Sequence, residues 1–154
     1  MKQFLFILSF FSLITMACST QQKTAAQLPA QGITGYVYRV SGNQMPMKDA
    51  AAASPKGIAT TVYIYELTNT GQVQRDGVSA YYTAIRSKLV TTVTSDSTGA
   101  FTVGLAEGSY SLFTKYGDRF YANIYDGNNN IAPIIVEKGK LTKTKINMDG
   151  EAVY

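Results

Sequence analysis

Apolar and polar residues alternate with a period of two along most of the chain after Gly32. Ile33 to Val40 (ITGYVYRV) alternates. Thr60 to Leu67 (TTVYIYEL) sets Val62 and Ile64 against Tyr63 and Tyr65, so that one pair packs inward and the other faces out or lies under a loop. Lys88 to Thr94 (KLVTTVT) is β-branched and pinned by Leu89 and Val93. AFTVGL places Phe101, Val103 and Leu105 on one face, and SYSLFTKY does the same for Tyr110 and Leu112. RFYANIY, IAPIIVE and LTKTKINM complete the series, and Pro133 marks its strand as an edge or a bulge. Short strands punctuated by Gly, Asn, Asp and Pro predict an all-β antiparallel sandwich, because each sheet must bury one face against another. Two longer connections, Ser41 to Gly57 with its alanines Ala50 to Ala53 and Thr68 to Arg86, carry no clear period and are expected to be loops.

The beginning of the chain departs from this pattern. Lys2 precedes an apolar run from Phe4 to Ala17, interrupted only by small polar residues and too short to span a bilayer as a helix. A basic start, an apolar middle and a small residue before Cys18 predict a secretory signal over residues 1–17. Cys18 is the sole cysteine, so no intrachain disulfide can form. Ile14-Thr15-Met16-Ala17-Cys18 resembles the bacterial lipobox, which implies cleavage before Cys18 and acylation of its thiol and amine, palmitate being a usual chain. Each buried methylene contributes about 0.8 kcal/mol, so two or three chains anchor a protein durably. Residues 18–31 then read as a lipidated cysteine and flexible tether, and residues 32–154 as one domain. Ser19 follows Cys18 and no acidic cluster comes next, which favours the periplasmic leaflet of the outer membrane.

Composition narrows the chemistry. Histidine is absent, which removes the usual general base and the commonest metal ligand. With Cys18 acylated, Ser-His-Asp, Cys-His and ordinary zinc sites are all excluded. Thirteen cationic side chains against ten carboxylates remain after residues 1–17, too mild and scattered for nucleic acid. No catalytic residue, metal or cofactor is expected.

The stretch SDSTGAFTVGLAEGSYSL resembles the signature of carboxypeptidase regulatory-like domains: Asp96, two variable residues, Gly99, the aromatic Phe101, a short strand, then Gly108-x-Tyr110. With GITGYVYRVSGNQMP, VYIYELT, FYANIYDGNNNI and VEKGKLTK, the chain is similar to small Bacteroidota lipoproteins carrying such a domain. The resemblance implies a transthyretin-like sandwich of about seven to eight strands. It promises no activity of its own.

Candidate sites follow. Asp96 and Gly99 are expected to close a turn, with Gly99 at positive φ and Phe101 leading into the core. Asp96-Ser97-Thr98 resembles an O-glycosylation site of exported Bacteroidota proteins, which makes Ser97 a candidate for modification. In YDGNNNI, Asp126, Asn128 and Asn130 alternate in the manner of a calcium loop, but a hairpin turn on Asp126-Gly127 is the default. Among eleven tyrosines, Tyr81, Tyr82, Tyr121 and Tyr125 form the candidate contact patch. Lys143 and Lys145 lie on the polar face of the last strand, where they keep an edge solvated. The functional expectation is a non-catalytic, membrane-anchored binding or structural module whose partner is an envelope protein or glycan. A carbohydrate-binding module using exposed tyrosines is the alternative. A histidine-free hydrolase comes third and would need two carboxylates converging in one cleft.

Overall fold

A computed structural model describes residues 28–45 and 54–153. The signal segment, Cys18, most of the tether and Ala50 to Ala53 lie outside the described residues. The eleven strands among those described are β1 (Gly32–Asn43), β2 (Lys56–Gly57), β3 (Thr61–Glu66), β4 (Val73–Arg75), β5 (Tyr81–Ile85) and β6 (Leu89–Thr94), followed by β7 (Ala100–Gly104), β8 (Gly108–Tyr116), β9 (Arg119–Tyr121), β10 (Pro133–Val136) and β11 (Leu141–Val153). They form a sandwich of two sheets. The small sheet runs β11-β1-β2 with β7 also on β1, and the large one runs β4-β5-β9-β8-β3-β6 with β10 on β8.

The period-two pattern accounts for the main core. Ile33 and Val37 of β1, Val62 and Ile64 of β3, Phe101 of β7 and Leu112 of β8 all point between the sheets and are buried. Pro133 opens β10, which pairs with β8 alone, in keeping with a residue that has no N–H for a second neighbour.

Two features differ from the sequence expectation. First, the sandwich is not wholly antiparallel: β1 and β11 pair in parallel from Gly32↔Leu141 to Asn43↔Val153. Adjacent strands in sequence can meet antiparallel through a hairpin, but these two are separated by the whole domain, so a parallel crossover meets no turn constraint. Second, both expected loops carry strand: at the ends of Ser41 to Gly57, β1 continues to Asn43 and Lys56–Gly57 forms β2, and Thr68 to Arg86 holds a 3-10 turn at Thr70–Gln72 and the strands β4 and β5. The period of the latter is hidden because both faces of β5 are covered. Tyr81 packs against the main core, while its neighbour Tyr82 enters a second cluster.

That second cluster lies on the outer face of the large sheet. Tyr63 and Tyr65, pointing away from Val62 and Ile64, meet Phe113, Tyr82, Phe120, Ala122 and Ile131 there. Phe113 is fully buried and takes Tyr65 and Tyr82 edge-on, with ring centroids 5.7 and 5.6 Å away. The chain after β9 is tied over this cluster by Thr68, whose carbonyl accepts from Ile131 N–H at 2.8 Å and whose N–H donates to Ser111 Oγ at 2.9 Å. The sheet-covering aromatic face is therefore folded into the domain instead of being left for a ligand.

Candidate functional site

Asp96 is engaged by its own turn. Its Oδ1 accepts from Thr98 N–H at 2.8 Å, Thr98 Oγ1 at 2.6 Å and Ala100 N–H at 3.0 Å. These donors, the Thr98 hydroxyl first, hold its carboxyl below the usual range. Gly99 has φ 87°, and a Cβ there would sit 2.2 Å from the Val37 carbonyl oxygen. Phe101 is buried in the main core, and Ser97 is exposed on the turn. Further on, Gly108 has φ 154° and Tyr110 reaches back to donate its hydroxyl hydrogen to the Ala106 carbonyl at 3.0 Å, pinning the entry to β8.

The same turn recurs at Asp126. Its Oδ1 accepts from Asn128 and Asn130 N–H, both at 2.8 Å, and its Oδ2 from Asn130 Nδ2 at 2.8 Å. In both turns the Asp carbonyl accepts from the residue three on and the Asp N–H donates to the carbonyl four on. Asn129, at φ 60°, takes the place of Gly99. The turn is thus a three-residue loop with its left-handed residue at Asn129, not a two-residue hairpin centred on Asp126-Gly127. Both carboxylate oxygens face turn donors, which is the arrangement of a structural Asp and not of an inward-facing calcium loop. The Asn130 amide leads the contacts that lower its pKa.

The four tyrosines of the expected contact patch do not form one. Tyr82 and Tyr121 are buried, because each supplies apolar surface to a core and finds an internal partner for its hydroxyl. Tyr121 donates to the Asp149 carboxylate and accepts from Asp149 N–H at 3.1 Å, while Asn123 Nδ2 donates to the same carboxylate at 2.8 Å. Tyr82 shares a hydrogen bond with the Tyr125 hydroxyl and sits beneath Arg75, whose guanidinium lies 5.8 Å from its ring centre. Burial pushes Tyr82 up to about 12, and burial followed by the Asp149 contact raises Tyr121 further still. Tyr81 lies half-buried under Arg119, 4.3 Å from its ring centre, and packs on Tyr116 and Tyr121. Only Tyr125 is well exposed.

An aromatic surface does exist, on the outer face of the small sheet. Since Ile33, Gly35 and Val37 take the inner face of β1, Thr34, Tyr36 and Tyr38 point outward. Tyr36 is 48% exposed and stacks on Tyr38, with centroids 5.9 Å apart and planes 21° from parallel. The β1–β11 register sets Lys143 beside Thr34 and Lys145 beside Tyr36, and Lys145 Nζ lies 5.0 Å from the Tyr38 ring centre. On the other side Thr34 and Thr102 share a hydroxyl hydrogen bond of 2.8 Å. A shallow depression runs between Thr34, Tyr36, Lys143 and Thr144. Sequence reasoning placed Tyr36 and Tyr38 in a strand and gave them no role. Their signal was two aromatic residues at even spacing opposite Ile33 and Val37.

A smaller cleft opens between β10 and β11, lined by Ala122, Ile124, Pro133, Ile146 and Asn147 and enclosing about 60 Å³. The buried Asn147 Oδ1 has no hydrogen-bond partner among the described residues, and nearby Ala132 is held at φ 41°. The space suits one or two ordered waters, the partner that a buried amide oxygen requires. Among the described residues, no three His, Cys, Asp or Glu side chains gather as a metal site.

No family model, curated protein or solved structure matches the chain.

Proposed function

We propose that this protein is a non-catalytic binding module of the cell envelope, held on the periplasmic face of the outer membrane by acyl chains on Cys18, and that it binds a glycan through Tyr36 and Tyr38. The observation that carries this reading is the outward-facing, stacked tyrosine pair, Tyr36 half-exposed and Tyr38 partly buried, beside Thr34 and Lys145. Sugar rings present apolar C–H faces and hydroxyl rims, and a tyrosine ring flanked by hydroxyl and ammonium donors offers complements to both. Four of the carboxylates on which a hydrolase could draw already have structural partners. Asp96 and Asp126 close turns, Asp149 holds Tyr121 and Asn123, and Glu151 accepts from Tyr116. A glycosylated Ser97 is compatible with this account, since its side chain projects from a turn that Asp96 holds without it.

Binding of soluble polysaccharides to the full chain in neutral detergent micelles tests the face. Stacking on each ring contributes on the order of 1 kcal/mol, so Tyr36→Ala with Tyr38→Ala should weaken binding about ten-fold or more, with the thermal midpoint little changed. Undiminished binding by that double variant would remove the tyrosines from the site. For the anchor, Cys18→Ala should move the protein from the membrane fraction to the soluble fraction, and persistent membrane retention would refute acylation as the tether.

A further inference from the structure

We infer that the glycan met by the tyrosine face is an anionic one, whose carboxylate or phosphate groups are received by Lys143 and Lys145; this rests on the glycan reading above. The register carries the argument. β11 runs parallel to β1, so Lys143 and Lys145 fall on the same outward side as Thr34 and Tyr36. Both lysines are exposed, and among the described residues neither takes part in an ion pair, whereas the nearby Lys140 is held by Glu137. Over the stretch Gly32 to Tyr38 the outward positions are Gly32, Thr34, Tyr36 and Tyr38 on β1, Ala100, Thr102 and Gly104 on β7, and Leu141, Lys143, Lys145 and Asn147 on β11. None is acidic. Two ammonium groups with no carboxylate between them give the face a positive field directly over its aromatic surface.

Protection of an edge strand needs charge alone. It does not need a stacked aromatic pair beneath the charges, nor a pair of threonine hydroxyls alongside. A membrane surface would also supply anions, yet docking on lipid calls for several Leu, Phe or Trp side chains that enter the acyl boundary. The outward set contains a single aliphatic side chain, the partly buried Leu141 at the start of β11, and no Ile, Val, Phe or Met. Its tyrosines, threonines and lysines instead suit a polymer that alternates apolar ring faces, hydroxyls and negative groups.

Titration calorimetry on the full chain in neutral detergent micelles, with alginate as the anionic probe and dextran as the neutral one, tests this. Alginate should bind at least ten-fold more tightly. Lys143→Gln with Lys145→Gln should remove the preference for alginate over dextran, while the paired Lys→Arg variant should retain it. Raising salt from about 50 to about 500 mM should weaken alginate binding selectively, since the screening length shrinks several-fold. Equal affinity for the two polymers, both lost in the Tyr36→Ala, Tyr38→Ala variant, would overturn the anionic inference and leave the glycan reading standing. Binding of neither polymer would overturn both. A lysine-dependent response to phosphatidylglycerol added to the micelles that exceeds the response to alginate would assign the face to lipid and likewise overturn the inference.

Discussion

Gly99→Ala is expected to lower the unfolding free energy by about 2–5 kcal/mol, far more than a glycine substitution in an ordinary surface turn. Two costs add. A left-handed backbone at φ 87° is disfavoured for any residue with a Cβ, by roughly 1–2 kcal/mol. The new methyl would also stand 2.2 Å from the Val37 carbonyl oxygen and 3.2 Å from the Gly57 Cα, so the turn must part from β1 or the strand must shift. Overpacking of that kind costs about 1–3 kcal/mol. Gly139→Ala supplies the comparison. Its φ of 69° carries the same conformational penalty, but no atom lies within 4 Å of the added Cβ, so about 1 kcal/mol is expected. Urea unfolding of both variants separates the terms, and equal losses would show that the turn does not press on β1.

Stability should be insensitive to pH through the neutral range and then fall steeply above pH ~10. Tyr82 and Tyr121 are neutral in the fold and their phenols ionise at a pH above the ordinary value of 10.0, Tyr82 at about 12. The direction of the linkage follows from proton counts. Between the unfolded and the folded pKa the unfolded chain has lost the phenolic proton and the native chain retains it. The native state therefore binds more protons, and its stability, complete below the unfolded pKa, is lost as pH rises towards the folded one. The slope is about 1.4 kcal/mol per pH unit for each such tyrosine. Tyr82→Phe keeps the ring in its aromatic cluster and removes one ionisation, so the alkaline decline should become shallower by one proton. Denaturant midpoints against pH, read beside tyrosinate absorbance, check this. If tyrosinate formed at Tyr82 near pH ~10 with the fold intact, the burial argument would fail.

The alternating strands were legible because each has one core face. Ile33 with Val37, Val62 with Ile64, and Phe101 with Val103 each sit where a period of two puts them. The Asp96 turn was legible too, because the carboxylate and Gly99 have separate and necessary jobs in it. Its twin at Asp126 was masked by Gly127, which draws the eye to a two-residue turn while Asn129 adopts the left-handed conformation. Tyr81 and Tyr82 were misleading for a related reason. Adjacent aromatic residues suggest a loop surface, and here they are one strand whose two faces serve two cores. The parallel union of β1 and β11 had no local signature, since register between chain-distant strands is decided by tertiary packing. With that union unseen, nothing set Lys143 and Lys145 beside Tyr36, so the lysines read as a solvated edge and Tyr36 as an ordinary strand residue.

The central claim is that the tyrosine face of the small sheet is the binding surface. Amide and aromatic resonances of the isotope-labelled full chain in neutral micelles, followed during titration with alginate, locate the contact directly. The account predicts shifts concentrated at Thr34, Tyr36, Tyr38, Thr102, Lys143 and Lys145, with the Asp126 turn and the cleft at Ile124 and Ala132 unmoved. Shifts confined to that turn and cleft, or spread without a focus, would contradict it.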